Sequence, residues 1–179
     1  MIPLAVLAAV AVLGTGGPPQ VVHPDGRIGR FRLDVTTKAQ LVGVLGKPAR
    51  SIVAVTEPTG KRIGVRLVYA CRPGCDTFYS FSDTTGALSD FVTDSPAVRT
   101  ERGSHVGLSA TRASQLEHKP LVPSCSSPKV IHVRWDSTHA FVVSTLHDRV
   151  SSISFFGPLH LLRGLLLTGP PGVRGLDRE

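Results

Sequence analysis

Residues 63–92 read IGVRLVYACRPGCDTFYSFSDTTGALSDFV, and the period of the apolar side chains in this stretch decides the fold. Ile63, Val65, Leu67 and Tyr69 alternate with Gly64, Arg66 and Val68, which is the pattern of a strand with one buried face. Residues 77–81 (TFYSF) and 87–92 (ALSDFV) supply two more strands, and the turn residues 82–86 (SDTTG) lie between them. Connections this short make the three strands antiparallel neighbours in a meander.

The first connection carries its own chemistry. In Cys71-Arg72-Pro73-Gly74-Cys75, Pro sets the first turn dihedral and Gly tolerates positive φ at the second, so a type II turn brings the two cysteines together. A Cys71–Cys75 disulfide is therefore expected, pinning a turn more than holding a fold. Cys125 is then left over, unless it takes one of the first two. Redox motifs want two residues between the cysteines and zinc sites want four spaced ligands, and this sequence offers neither pattern.

Upstream of the meander the period is close to 3.6. Thr36 is a good N-cap, Ala39, Leu41, Val42, Val44 and Leu45 form an apolar stripe, and Gly46-Lys47-Pro48 is a stop signal, which predicts a helix of about ten residues. The plan recurs downstream. Ser109 stands where Thr36 stood, Lys119-Pro120 where Lys47-Pro48 stood, at offsets of 73 and 72 residues. Strands follow over 129–135 (KVIHVRW), 140–146 (AFVVSTL) and 149–156 (RVSSISFF), with a turn at His147-Asp148. The expected fold is thus α+β, two-layer, built from tandem units of one helix plus an antiparallel three-stranded meander.

Residues 35–41 (VTTKAQL) with 45–48 (LGKP), and Gly107-Leu108-Ser109 in the second unit, resemble the repeat of secreted bacterial proteins of the beta-lactamase inhibitory protein type and of the small lipoprotein of the outer-membrane assembly machine. The resemblance covers about a third of the chain. It implies a helical layer on a concave antiparallel sheet, and protein binding in place of catalysis. Three features depart from it: Asp34 stands where a Gly is usual, the second helix lacks the Leu-Gly-x-Pro ending, and the paired cysteines of each repeat are not both present.

The outer parts of the chain bear on its destination. Residues 2–13 (IPLAVLAAVAVL) are too few to cross a bilayer, yet match the apolar centre of a secretory signal, with small residues at 14–17 for cleavage. The chain opens Met-Ile-Pro without the usual Lys or Arg, and no Cys follows to accept lipid. The organisation expected is a signal peptide over 1–17, a linker over 18–28, units over 29–100 and 101–157, and a Leu-rich tail over 158–179, packed as a short closing segment with a disordered end. The destination is outside the cell or in its envelope, with no stable membrane insertion after cleavage.

At 179 residues, with 41% hydrophobic and 18% charged residues, the chain is one globular domain's worth or two small units sharing a core. Its net charge of +7 favours anionic surroundings, but the basic residues are scattered (Arg27, Arg30 and Arg32; Lys61, Arg62 and Arg66; Arg99 and Arg102), which is not the clustered footprint of a nucleic-acid site. No phosphate-cradling glycine loop, no H-E-x-x-H and no G-x-S-x-G elbow is present, and Ser109 in Gly107-Leu108-Ser109-Ala110-Thr111 is explained as a helix cap. His132, His139 and His147-Asp148 fall on a strand and turns. No catalytic residue, cofactor or metal ligand is assigned. The expected function is a secreted, non-enzymatic protein-binding module with an unidentified protein partner, recognising it through exposed aromatics, Tyr79, Phe81 and Trp135, on the open sheet face. The competing expectation is an exported hydrolase with a loop-borne His, Ser or Asp site.

Overall fold

A computed structural model describes residues 20–55, 60–71, 74–124, 129–136 and 138–157. The segments read as signal peptide and as Leu-rich tail, and Cys125, lie outside the described residues. The elements run β1 (Val21–Val22), β2 (Arg27–Ile28), β3 (Phe31–Arg32), α1 (Lys38–Leu45), β4 (Arg50–Val55), β5 (Arg62–Ala70), β6 (Asp76–Ser82), β7 (Leu88–Thr93), β8 (Arg99–Thr100), α2 (Ala110–Glu117), β9 (Lys129–Trp135), β10 (Ala140–Leu146) and β11 (Arg149–Phe156).

Strands take 49% and helices 13%, so the molecule is mostly β, and the expected two-layer α+β fold of tandem helix-plus-meander units is wrong. The reason lies at the strand edges. Instead of standing apart under separate helices, the meanders join through β7 and β11, which pair from Asp90↔Phe156 to Thr93↔Ile153, giving one seven-stranded antiparallel sheet ordered β4-β5-β6-β7-β11-β10-β9. Pairing satisfies edge amides that two separate sheets would leave open. Both helices are only eight residues long, and α1 buries Leu41 alone completely, so neither makes a layer. The remaining cover is a four-stranded sheet of two-residue strands, β3-β2-β1-β8, assembled partly from the stretch expected to be a linker. β4 also goes unread in the sequence: its six residues pair with β5 beside the meander.

The core lies on the helix side of the large sheet. Leu67, Tyr79, Phe81, Phe91, Ile131, Phe141, Val143, Ile153 and Phe155 project there against Leu41, Ala113, Val22, Ile28 and Phe31. Tyr79 sits among Phe31, Tyr69 and Phe91 at centroid distances of 5.3 to 5.9 Å and donates its hydroxyl to Gln20 at 2.9 Å. Tyr79 and Phe81, expected on an open binding face, are 1% and 3% exposed. Strand alternation places them in line with Leu67 and Phe91, under the helices. Trp135 pairs with Ala140 in the β9–β10 ladder, and its side chain lies outside the described ones.

Local chemistry fixes the helix starts. The N-cap of α1 is Thr37 rather than Thr36: its hydroxyl accepts from Gln40 N at 3.3 Å while the Gln40 side chain accepts from Thr37 N at 2.8 Å, a complete capping box. The Thr36 hydroxyl instead accepts from Arg32 N at 2.8 Å, tying the helix entry to β3. Ser109 caps α2 as expected, accepting from Arg112 N at 3.3 Å. Each cap also bridges to the large sheet, Thr37 to Ala87 and Ser109 to Arg149.

Candidate functional site

The face of the large sheet opposite the helices carries a polar strip built by register. Arg66 on β5 lies directly across from Ser80 on β6, and Ser80 across from Asp90 on β7. Arg66 Nε donates to Ser80 Oγ at 2.9 Å, Ser80 Oγ donates to Asp90 Oδ1 at 2.8 Å, and an outer guanidinium nitrogen of Arg66 stands 3.8 Å from that same carboxylate oxygen. The guanidinium also lies 5.8 Å from the Phe78 ring centroid, a cation–π contact made diagonally across to β6. The Arg66 and Asp90 side chains are each only 16% exposed.

Apolar groups surround this strip. Val68, Phe78 and Val92 pair side by side across β5, β6 and β7, and Ser154, Val142 and His132 continue the row through β11, β10 and β9. Val68, Val92 and Val142 are at most 8% exposed, so the face is sheltered and largely dry. Burial accordingly pushes the Asp90 carboxyl up from its ordinary value, opposed by the Arg66 charge and the Ser80 hydrogen bond. Burial likewise pulls the His132 imidazole down. A charged pair fixed by a hydroxyl within an apolar surround has the composition of a recognition site, where few polar groups set orientation.

Arg66, Ser80 and Asp90 escape a sequence reading because they are 14 and 10 residues apart and meet only through strand register. The one signal available is parity: each takes the non-core place in its alternation.

A second constellation joins the β9–β10 turn to the loop before α1. His139 Nε2 lies 3.0 Å from Asp34 Oδ2, and Nδ1 lies 2.8 Å from Thr138 Oγ1. This arranges a hydroxyl, an imidazole and a carboxylate in series. The Thr138 hydroxyl, however, donates its proton to Asp136 at 2.7 Å, so Nδ1 faces an oxygen lone pair and no proton that it could remove. The Thr138 hydroxyl, together with Arg134 Nε, His139 N and Thr138 N, which also donate to Asp136, holds its carboxyl well below the usual range. The arrangement works as a latch. Asp34 has φ +60, a left-handed backbone in which Gly is the unstrained choice, and its side chain then reaches across to His139.

The remaining sequence candidates have structural explanations. Cys71 and Cys75 are joined in a disulfide across the β5–β6 turn, with Cα atoms 5.3 Å apart and Cys71 N donating to Cys75 O at 3.0 Å. Asp94 lies near the sulfurs, but atoms bonded in a disulfide have no thiolate to offer a metal. His147 and Asp148 both have positive φ, 48° and 57°, the backbone of a two-residue hairpin turn between β10 and β11. Among the described residues no helix is long and apolar enough to cross a membrane.

No family model matches the chain, and no curated protein matches it. Among solved structures, the uncharacterised protein yfeY from Escherichia coli is similar over 75% of this chain and 98% of its own, with a TM-score of 0.53 and 13% identity. An extracellular protein containing a SCP domain from Bacillus anthracis matches over 71% of this chain, with a TM-score of 0.48 and 10% identity. The chain spans 45% of the length of that protein. At such identities what is shared with yfeY is the fold. Neither protein is described as a beta-lactamase inhibitory protein or an assembly lipoprotein.

Proposed function

We propose that this chain is an exported, non-enzymatic interaction module that holds an extended segment of a partner protein against the face of the large sheet opposite its helices. The observation that carries this reading is the Arg66–Ser80–Asp90 strip, a charged pair set in a sheltered apolar face that the core on the other side does not need. Charged groups so placed are costly to keep dry, and groups perturbed in this way cluster at functional sites. In this reading a partner's apolar side chain lies on Phe78, the partly exposed member of the row, while its polar groups read Arg66 and Asp90 from the 16% of each side chain that is exposed. Export is supported by the Cys71–Cys75 disulfide, since such bonds persist outside a reducing cytosol, and by the apolar stretch at residues 2–13.

The test is capture from envelope extracts by the wild-type chain and by an Arg66→Gln/Asp90→Asn double variant that retains the native circular dichroism spectrum. A stoichiometric protein partner recovered by the wild type and lost by the variant supports the reading. Equal capture by both, or none by either, overturns it. The competing hydrolase reading rests on the Asp34–His139 contact, and it requires turnover of a model ester or peptide that disappears in His139→Gln.

A further inference from the structure

The two edges of the large sheet are finished differently. At β9 the edge is blunted: Val122 N donates to Val130 O at 2.9 Å and Val130 N to Val122 O at 2.8 Å, the strand carries Lys129, His132 and Arg134, and a bulge interrupts its ladder. At β4 the edge is barer among the described residues: no segment bonds back onto its outer side, its one charge is Arg50 at the end, and its ladder slips only between Ala54 and Val55. The strand reads RSIVAV, pairs among the described residues only with β5, and exposes apolar side chains on both of its faces: Ile52 at 45%, Val53 at 53% and Val55 at 49%, with Ile63 of β5 beside it at 41%. Val44 on the neighbouring helix α1 is 52% exposed. A strand like this presents unpaired amides and carbonyls in a row, together with the side chains that most favour pairing.

We propose that β4 is the self-association edge of this protein, pairing antiparallel with β4 of a second copy across a two-fold axis. The charge layout favours a second copy as the occupant. In an isologous contact every residue meets the same surface of its partner, so a charge at the centre would face itself. The one charged residue of β4, Arg50, is at its end and is already engaged by Asp76 at 2.8 Å. The register selects the axis. The ladder with β5 is regular from Arg50 to Ala54 and slips between Ala54 and Val55, so the regular stretch is centred on Ile52. With Ile52 on the axis, Arg50 faces Ala54, Ser51 faces Val53, and no like charges are opposed. The two large sheets then continue into one, and the exposed Val53 side chains of each copy approach the other's.

The experiment is sedimentation of the full chain over a concentration series, with Val53→Lys as the edge-breaking variant and Leu146→Lys as a control at an exposed apolar site far from β4. The expected result is a concentration-dependent dimer whose dissociation constant rises at least about tenfold in Val53→Lys and stays put in Leu146→Lys. In a Cys125→Ser background, Ile52→Cys is expected to lock the dimer through a disulfide, while Leu146→Cys does not. A chain that stays monomeric throughout, or a dimer that ignores Val53→Lys and is not trapped by Ile52→Cys, overturns the proposal. The trap keeps the test decisive should Val53→Lys fail to fold.

Discussion

Two glycines show how differently single positions are constrained. A Cβ on Gly64 of β5 would meet the Phe81 backbone oxygen at 2.2 Å, and a main-chain atom of the adjacent strand cannot turn aside as a side chain would. Gly64→Ala is therefore expected to lower stability by about 2 to 4 kcal/mol, read from the urea midpoint. Gly43 in α1 has open space around its would-be Cβ, and there Ala is expected to add roughly 0.5 to 1 kcal/mol through helix propensity. A loss at Gly43 as large as that at Gly64 would show that the strand contact is not what limits substitution.

Titration at single carboxylates is the other residue-scale consequence. The native chain holds a proton on Asp90 more tightly than the unfolded chain does, so its contribution to stability is complete below 3.8 and is lost as pH rises through the raised native value. Asp136 has the opposite sign: its contribution is present above 3.8 and is lost as pH falls toward the lowered native value. In urea midpoints measured across the acid range, Asp90→Asn should remove a downward contribution above 3.8, and Asp136→Asn should soften the loss below it. Parallel curves for wild type and both variants would contradict these assignments.

At the scale of elements, α1 shows both how much is legible and where legibility stops. The pattern around Thr36, Leu41 and Gly46 locates a helix, and Gly46 does end it, with φ +79. The cap is displaced by one residue because two adjacent threonines both have capping hydroxyls, and only tertiary structure gives Thr36 a different donor, Arg32 N. Thr37→Ala is expected to cost about 1 kcal/mol, measured by chemical denaturation, since it breaks both halves of the capping box. Thr36→Ala acts by another route, freeing the Arg32 amide, and because the two threonines are adjacent a double variant is expected to depart from the sum of the single losses. The strands of the meanders are visible as alternation, yet β4 is not, because residues 52–55 (IVAV) are a continuous apolar run without the polar beats that mark a half-buried strand. The small sheet is beyond sequence reading altogether, as two-residue strands have no period.

Across the whole molecule, the continuous core ties the early and late strands into a single unit. Phe91 and Phe155 pair across the β7–β11 junction, both completely buried, and Phe155 stacks on Phe141 at 5.3 Å. Phe155→Ala is expected to cost about 3 to 5 kcal/mol and to lower the unfolding of both meanders together, in one transition seen alike by tyrosine and tryptophan fluorescence. Two separated transitions would mean that the halves fold independently despite the shared sheet.

The amino-acid sequence by itself determined the local structure: which segments alternate, where the helices begin to within a residue, and that Cys71 meets Cys75 across a short turn, because these depend on neighbours a few residues apart. Tertiary structure alone decided that the meanders fuse through β7 and β11, that Tyr79 and Phe81 turn inward, and that Arg66, Ser80 and Asp90 meet. Alternation says that a strand has two faces but not which face a distant element will cover. Edge pairing and cross-strand register are settled by the free energy of burying whole sheets, a quantity that no short window of sequence contains.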